Sequence, residues 1–178
     1  MKHAALLRGI NVSGKNMLPM KDLAGMFVAA GCRDVATYIQ SGNVVFSAPA
    51  AVLKKLSQTI SQRIADDFGH KVPVIIRSHE QIAAVIRENP FLKAGEVEKS
   101  LHVVFLADLP AANAVAKLDP QRSPPDRFIV AGQDIYLHLP NGAGQSKLTN
   151  AWLDSKLSTI STARNWNTVM KLFEMTKP

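Results

Sequence analysis

The sequence predicts an α+β fold, mostly antiparallel sheets with helices packed on them, on three observations. Over residues 1–77, short apolar runs alternate with apolar stripes at helical spacing in the order β-α-β-β-α-β, which is the ferredoxin-like split βαβ plan. Part of that order returns after residue 100. Two glycine-centred hairpins also look alike: TYIQSGNVVF stands 90 positions before RFIVAGQDIY (Tyr38 to Phe128), and Tyr38, Ile39 and Gly42 match Phe128, Ile129 and Gly132. That similarity supports an internal duplication. The expected organisation is two ferredoxin-like subdomains, residues 1–77 and 101–178, joined by a connecting helix and loop over 78–100.

The elements follow in order. A first strand is expected from Ala4 to Ile10, then a glycine loop, then a helix opened by Pro19, whose missing N–H costs nothing at a helix start. Leu23, Met26, Phe27 and Ala30 give that helix one apolar face, and Gly31 ends it. Val35 to Ile39 and Val44 to Phe46 form a hairpin around Ser41-Gly42-Asn43. Ala50 to Phe68 reads as a long helix with Leu53, Leu56, Ile60 and Ile64 on one side, and Val72 to Ile76 as a fourth strand. Ser78 and Gln81 have the spacing of a capping box at the head of a connecting helix that runs to Arg87. A loop spans 89–100. Leu101 to Ala107 is expected as a strand, Pro110 to Leu118 as a short helix, Arg127 to Ala131 and Asp134 to Leu139 as a second hairpin, and Lys147 to Lys156 as a helix. A final helix is expected where the first half has its last strand.

The plan has a geometric consequence. Strands one and two of a split βαβ sheet run parallel with strand three between them, so RGINVSGKN (8–16) and QSGN (40–43) should lie at the same sheet edge.

Composition narrows the function classes. The 178 residues are 47% hydrophobic, enough for a sizeable core. No apolar run approaches the roughly 20 residues of a bilayer span, and no small-residue cleavage site follows the short apolar run, so no signal peptide is expected. A lone cysteine, Cys32, excludes an internal disulfide and fits a reducing cytoplasm. The net charge of +7 favours anionic partners such as a nucleic acid or a phosphorylated small molecule, and no membrane partner is expected. Nothing in the sequence sets an oligomeric state.

RGINVSGKN invites comparison with a phosphate-binding P-loop, since Gly9 opens G-x-x-x-x-G-K. The comparison fails at three points. Asn16 lacks the hydroxyl that would hold magnesium. Met17 and Leu18 separate the lysine from Pro19, so the helix does not start at the phosphate. The hairpins also indicate an antiparallel sheet. Two readings remain: an anion held by loop N–H groups with Lys15 or Arg8, or a tight turn in which Asn11 and Asn16 bond the backbone.

STARNWNTV (161–169) is the densest polar-aromatic cluster. Thr162 or Asn165 can cap the last helix, and Trp166 reads as a core anchor. Arg164, Asn165, Asn167 and Thr168 crowd a helix start, where free N–H groups and the dipole favour an anion. Upstream, NGAGQSK offers a second glycine loop with Ser146 and Lys147. These side chains suit binding more than catalysis. Apart from Arg and Lys charges they are Asn, Gln, Ser and Thr, which do not titrate near neutral pH. None of these stretches holds Asp, Glu, His or Cys, and the five histidines show no ligand spacing. No catalytic residue, metal or cofactor is therefore expected.

Taken together, ALLRGINVSGKN, TYIQSGNVVF, ENPF, SKLT and TARNWNTV resemble a widespread, mainly bacterial family known as domain of unknown function 1697. The similarity runs from Ala5 to Leu172, with several motifs in family order. It implies a protein of two ferredoxin-like halves and carries over the motif residues Arg8, Gly9, Ile10, Asn11, Lys15, Tyr38, Gln40, Ser41, Gly42, Asn43, Ser146, Lys147, Thr162, Arg164, Asn165, Trp166, Asn167 and Thr168. Ala163 stands where the family often has Thr, which argues against an essential hydroxyl there. The resemblance implies no activity.

The leading reading is a cytoplasmic protein that binds a phosphate-bearing ligand, a nucleotide or RNA. Arg8, Lys15, Lys147 and Arg164 would meet phosphate. Asn11, Asn16, Gln40, Ser41, Asn43, Ser146, Asn165, Asn167 and Thr168 would supply hydrogen bonds. Tyr38, Phe46, Phe128 and Tyr136 are strand aromatics that could stack bases. The alternatives are an enzyme acting on a small phosphorylated or amide-bearing metabolite, and a structural or oligomeric module without ligand.

Overall fold

The computed structural model describes residues 1–178, which form two compact units: Met1–Ala83 with Leu172–Pro178, and Ala84–Lys171. In the first unit the order is β1 (Lys2–Leu7), α1 (Met20–Ala29), β2 (Arg33–Tyr38), β3 (Asn43–Ser47), α2 (Ala50–Phe68), β4 (Val74–Ser78) and the start of α3 (His79–Glu88). The strands form one antiparallel sheet in the order β2-β3-β1-β4. Alternation along the pleat puts Ala5 and Leu7 of β1 and Val44 and Phe46 of β3 on one face, where they pack with Leu23 and Phe27 of α1 and Leu56, Ile60 and Ile64 of α2. The apolar stripe of α2 accounts for its formation. Gly69, at φ +71°, closes it in the left-handed conformation a helix end commonly adopts. The opposite sheet face is buried too, with Ala4, Leu6, Val45, Ile75 and Arg77.

The second unit adds α4 (Pro90–Lys93), β5 (Leu101–Leu106), α5 (Ala112–Val115), β6 (Arg127–Ala131), β7 (Asp134–His138), α6 (Asn150–Leu157), β8 (Ser161–Asn165) and the start of α7 (Trp166–Thr176). Its antiparallel sheet runs β6-β7-β5-β8, the same plan as the first. Both units thus have the β-α-β-β-α-β order and strand arrangement of two ferredoxin-like halves. The registers match as well. His3 pairs with Ser78 and Ala4 with Arg77 in the first sheet, while His102 pairs with Asn165 and Val103 with Arg164 in the second. The likeness seen in the hairpins therefore extends to the first and last strands of each sheet.

Several sequence expectations are corrected. The second half does not end in a helix alone: Ser161–Asn165 is a strand paired with β5, hidden because Ser, Thr, Ala, Arg and Asn carry little of the β-branched and aromatic signal of a strand. Strand β1 stops at Leu7 because Gly9, at φ +70°, turns the chain. Helix α6 starts at Asn150, where the Thr149 hydroxyl accepts from Trp152 N at 3.2 Å, not at Lys147. The loop 89–100 contains α4 and a 3₁₀ turn, Glu98–Ser100. The capping box does form: Gln81 N donates to Ser78 Oγ at 3.2 Å and Ser78 N to Gln81 Oε1 at 2.8 Å. No helix is long and apolar enough to cross a membrane.

Candidate functional site

RGINVSGKN folds into a small hairpin at the end of β1. Val12 bridges Lys15, and Lys15 N donates to Val12 O at 2.9 Å and Asn11 N to Asn16 O at 3.2 Å. Ser13 and Gly14 at the tip both have positive φ, +49° and +74°, the requirement of a two-residue hairpin turn. The loop thus turns the N–H groups of Asn11 and Lys15 onto its own carbonyls instead of opening them to a phosphate. Helix α1 begins only at Met20, so the arrangement is not a P-loop.

Asparagines hold the hairpin in place. Asn11 Nδ2 donates to Leu18 O at 2.9 Å and to Gln40 O at 2.8 Å, and Asn11 Oδ1 accepts from Leu18 N at 2.7 Å. Asn16 Nδ2 closes the base of the loop on Gly9 O at 2.9 Å. The two motifs expected to be neighbours are neighbours, since Leu7 N also donates to Gly42 O at 2.8 Å. Asn43 is fully buried, its amide on Tyr38 O and Ser41 Oγ.

A third segment joins them that sequence reasoning missed. Arg8 N donates to Pro73 O at 3.1 Å, and His70 Nε2 donates to Met17 O at 3.2 Å. These contacts bring Gly69–Pro73, with Lys71, to the same edge. No motif marks Lys71, because main-chain bonds of this kind leave no trace in residue type.

The resulting edge is basic and partly apolar. Lys15, Gln40 and Lys71 are exposed, while Arg8 and Ser41 are half-buried. Val12, Met17 and Ile39 are each more than half exposed. Residues 8–19, 38–43 and 69–73 contain no Asp or Glu, and nearby Asp67 is tied to Arg63 at 2.6 Å. Ile39 has φ +48°, a strained conformation for a β-branched residue.

In the second unit the motif residues divide by exposure. Ser146 Oγ accepts from Leu148 N at 3.1 Å, and Lys147 N donates to Ser123 Oγ at 3.0 Å while its side chain is exposed. Arg164 is buried, donating to Thr162 Oγ1 at 2.8 Å and Ala163 O at 2.7 Å. Removal from water pulls its pKa down to about 10. Asn165 caps α7, accepting from Thr168 N at 2.8 Å. Thr162, the other proposed cap, lies within β8. Asn167 is exposed and Thr168 buried.

The strand aromatics do not form a base-stacking face. Phe46 and Tyr136 are buried, and burial pushes the Tyr136 hydroxyl up to about 12. Phe128 packs edge-on to Trp152 at 6.1 Å. Tyr38, at the end of β2, is half-exposed beside the hairpin. Trp166 is a core residue, 1% exposed. Cys32 is buried, and desolvation raises its pKa, the opposite of an activated thiol. No three His, Cys, Asp or Glu side chains stand close enough to hold a metal ion together.

The architecture defines a two-unit α+β protein, each unit built on a four-stranded antiparallel sheet. The chain belongs to the family described as protein of unknown function, DUF1697, whose model matches residues 1–136. The fold is similar to the solved structure of the conserved bacterial protein SP0830 from Streptococcus pneumoniae, with TM-score 0.74, 21% identity, and coverage of 99% of this chain and 98% of that one. Among curated proteins none matches.

Proposed function

We propose that the protein binds a phosphate-bearing partner, a nucleotide or RNA, at the edge built from the Arg8–Asn16 hairpin, the Gln40–Asn43 turn and Gly69–Pro73. One observation carries the reading: three segments without a carboxylate, held together by main-chain and asparagine hydrogen bonds, carry exposed Lys15 and Lys71 together with exposed Val12, Met17 and Ile39. Lysines supply charge to phosphate, Gln40 and Ser41 supply hydrogen bonds, and the exposed apolar side chains receive the flat face of a base. Arg8, half-buried, lends its field from the rim. Asn11, Asn16 and Asn43 act by positioning. In the second unit Lys147 and Asn167 are exposed and offer the same chemistry, while Arg164, Asn165 and Thr168 support the strand and helix that carry them.

The test is fluorescence anisotropy of labelled single-stranded RNA at about 50 and about 200 mM salt, with Lys15→Ala and Lys71→Ala beside Lys54→Ala on exposed α2. The expected result is binding that falls with salt, and a salt slope reduced by about 1 for Lys15 and for Lys71 but not for Lys54. Equal effects of all three would reduce the interaction to a response to net charge and overturn the site.

A further inference from the structure

The second unit contains a cavity of about 540 Å³, which the sequence motifs touch only at Asn141 and Gly142, the start of NGAGQSK. One lining residue, His138, belongs to a polar cluster behind the wall. Asn89 Oδ1 caps α4, accepting from Phe91 N at 3.0 Å and Leu92 N at 3.3 Å, and so sets the buried Phe91 ring. The Arg127 guanidinium lies 5.2 Å over that ring. Arg127 donates to Glu96 Oε1 and, at 3.2 Å, meets His138 Nδ1, while His138 Nε2 is 3.2 Å from Glu96 Oε2.

This cluster fixes a tautomer and a charge balance. Arginine only donates, so His138 Nδ1 must be the acceptor, Nε2 carries the proton, and Nε2–H donates to Glu96. Both Glu96 oxygens are therefore occupied, and its charge is matched by Arg127. His138 presents its ring to the cavity, with its two nitrogens turned to Arg127 and Glu96. Lys99 is then the single formal charge among the lining residues; the adjacent Glu98 is not among them. Val97, 69% exposed, and buried Leu139 supply apolar surface, and Asn141 an exposed amide. Leu139 N donates to Ser100 O at 2.7 Å, which holds two of the walls together.

We propose that this cavity binds a small amphiphilic anion, a carboxylate or phosphate on a compact apolar body. The anion faces Lys99 with Asn141 in support, and the body lies on Val97, Leu139 and the His138 ring. The volume falls in the range of small-molecule sites, and a few polar groups around apolar walls are what such sites need. The inference does not rest on the hairpin edge of the first unit.

The test is a titration of the isotopically labelled protein by heteronuclear NMR with four probes: benzoate, phenyl phosphate, benzylamine and benzyl alcohol. The two anions should shift the backbone amides of Lys99, Ser100, Asn141 and Gly142. Lys99→Ala should weaken them about three- to fivefold, and Val97→Asp, at an exposed position, should weaken them further. Lys54→Ala, at an exposed position of α2, should leave these shifts unchanged. Preference between the two anions identifies the carboxylate or phosphate source. No shift with either anion, equal affinity for benzylamine, or indifference to Lys99 would each overturn the proposal.

Discussion

Asn11 donates a hydrogen bond to the Gln40 carbonyl at 2.8 Å and thereby joins two loops 29 positions apart. The same amide bonds Leu18 O, and its oxygen accepts from Leu18 N. Asn11 also sits at φ +52°, which Asn tolerates better than most residues. Asn11→Ala loses three hydrogen bonds and adds backbone strain, so it should lower stability by about 2–3 kcal/mol in urea denaturation. Asn11→Gly relieves the strain and should cost less. A cost below about 0.5 kcal/mol for Asn11→Ala would mean that the hairpin is held by something else.

Gly42 and Gly14 make a paired test of backbone against packing. Both have positive φ, +80° and +74°. A Cβ at Gly42 would stand 2.7 Å from Leu7 Cβ and 3.0 Å from Ile10, whereas at Gly14 nothing lies within 4 Å. Gly14→Ala should therefore cost only the conformational strain, about 1 kcal/mol. Gly42→Ala should cost at least about 3 kcal/mol, because β1 and the turn must separate. Similar melting temperatures for the two variants would contradict the close approach.

The first unit was legible because its elements carry strong local signals. Helix α2 falls on the expected Ala50–Phe68, since Leu56, Ile60 and Ile64 repeat at helical spacing and Gly69 stops it. The neighbourhood of RGINVSGKN and QSGN followed from topology alone. Strand β8 was not legible, because its polar side chains gain their place from pairing with β5, a contact between residues about sixty positions apart. Lys71 was missed for a related reason: Pro73 reaches Arg8 through a carbonyl. Glu96, Arg127 and His138 have no spacing that announces them, and only the hairpin and the capped α4 bring them together.

Two histidines at matching registers predict an acid-sensitive fold. His3 stacks on Phe46 at 5.9 Å, and each of His3 and His102 has a buried Nδ1 without a hydrogen-bond partner. Desolvation lowers both pKa values from 6.5. The Met1 ammonium lowers His3 further, the Met1 backbone and Glu80 oppose the shift there, and the Ser100 backbone opposes it at His102. A base whose folded pKa lies below its unfolded value binds protons more tightly when unfolded. Stability is then complete above about pH 6.5 and falls as pH drops below it. The urea midpoint should decrease between about pH 7.5 and pH 5.5, and His102→Phe should flatten that decrease. A midpoint that is flat over this range in the unsubstituted protein would refute the effect.

Arg164 should prove more important to stability than any exposed cation of the motifs. Its guanidinium is nearly excluded from water, and a pKa of about 10 still leaves it charged at neutral pH. A buried charge is tolerated only while its donors are used, here on Thr162 Oγ1 and Ala163 O. Arg164→Ala opens a cavity and removes those donors, so it should cost about 2–4 kcal/mol. Arg164→Lys keeps a charge without the planar fork and should recover little. Arg164→Met fills much of the volume without burying a charge and should be the best tolerated of the three. Lys147→Ala, at an exposed side chain, should stay within about 0.5 kcal/mol of the parent. Denaturation of the four variants orders these effects. Arg164→Ala as stable as Lys147→Ala would show that the guanidinium contributes nothing to holding β8 in place, and would return Arg164 to the set of residues available for a ligand.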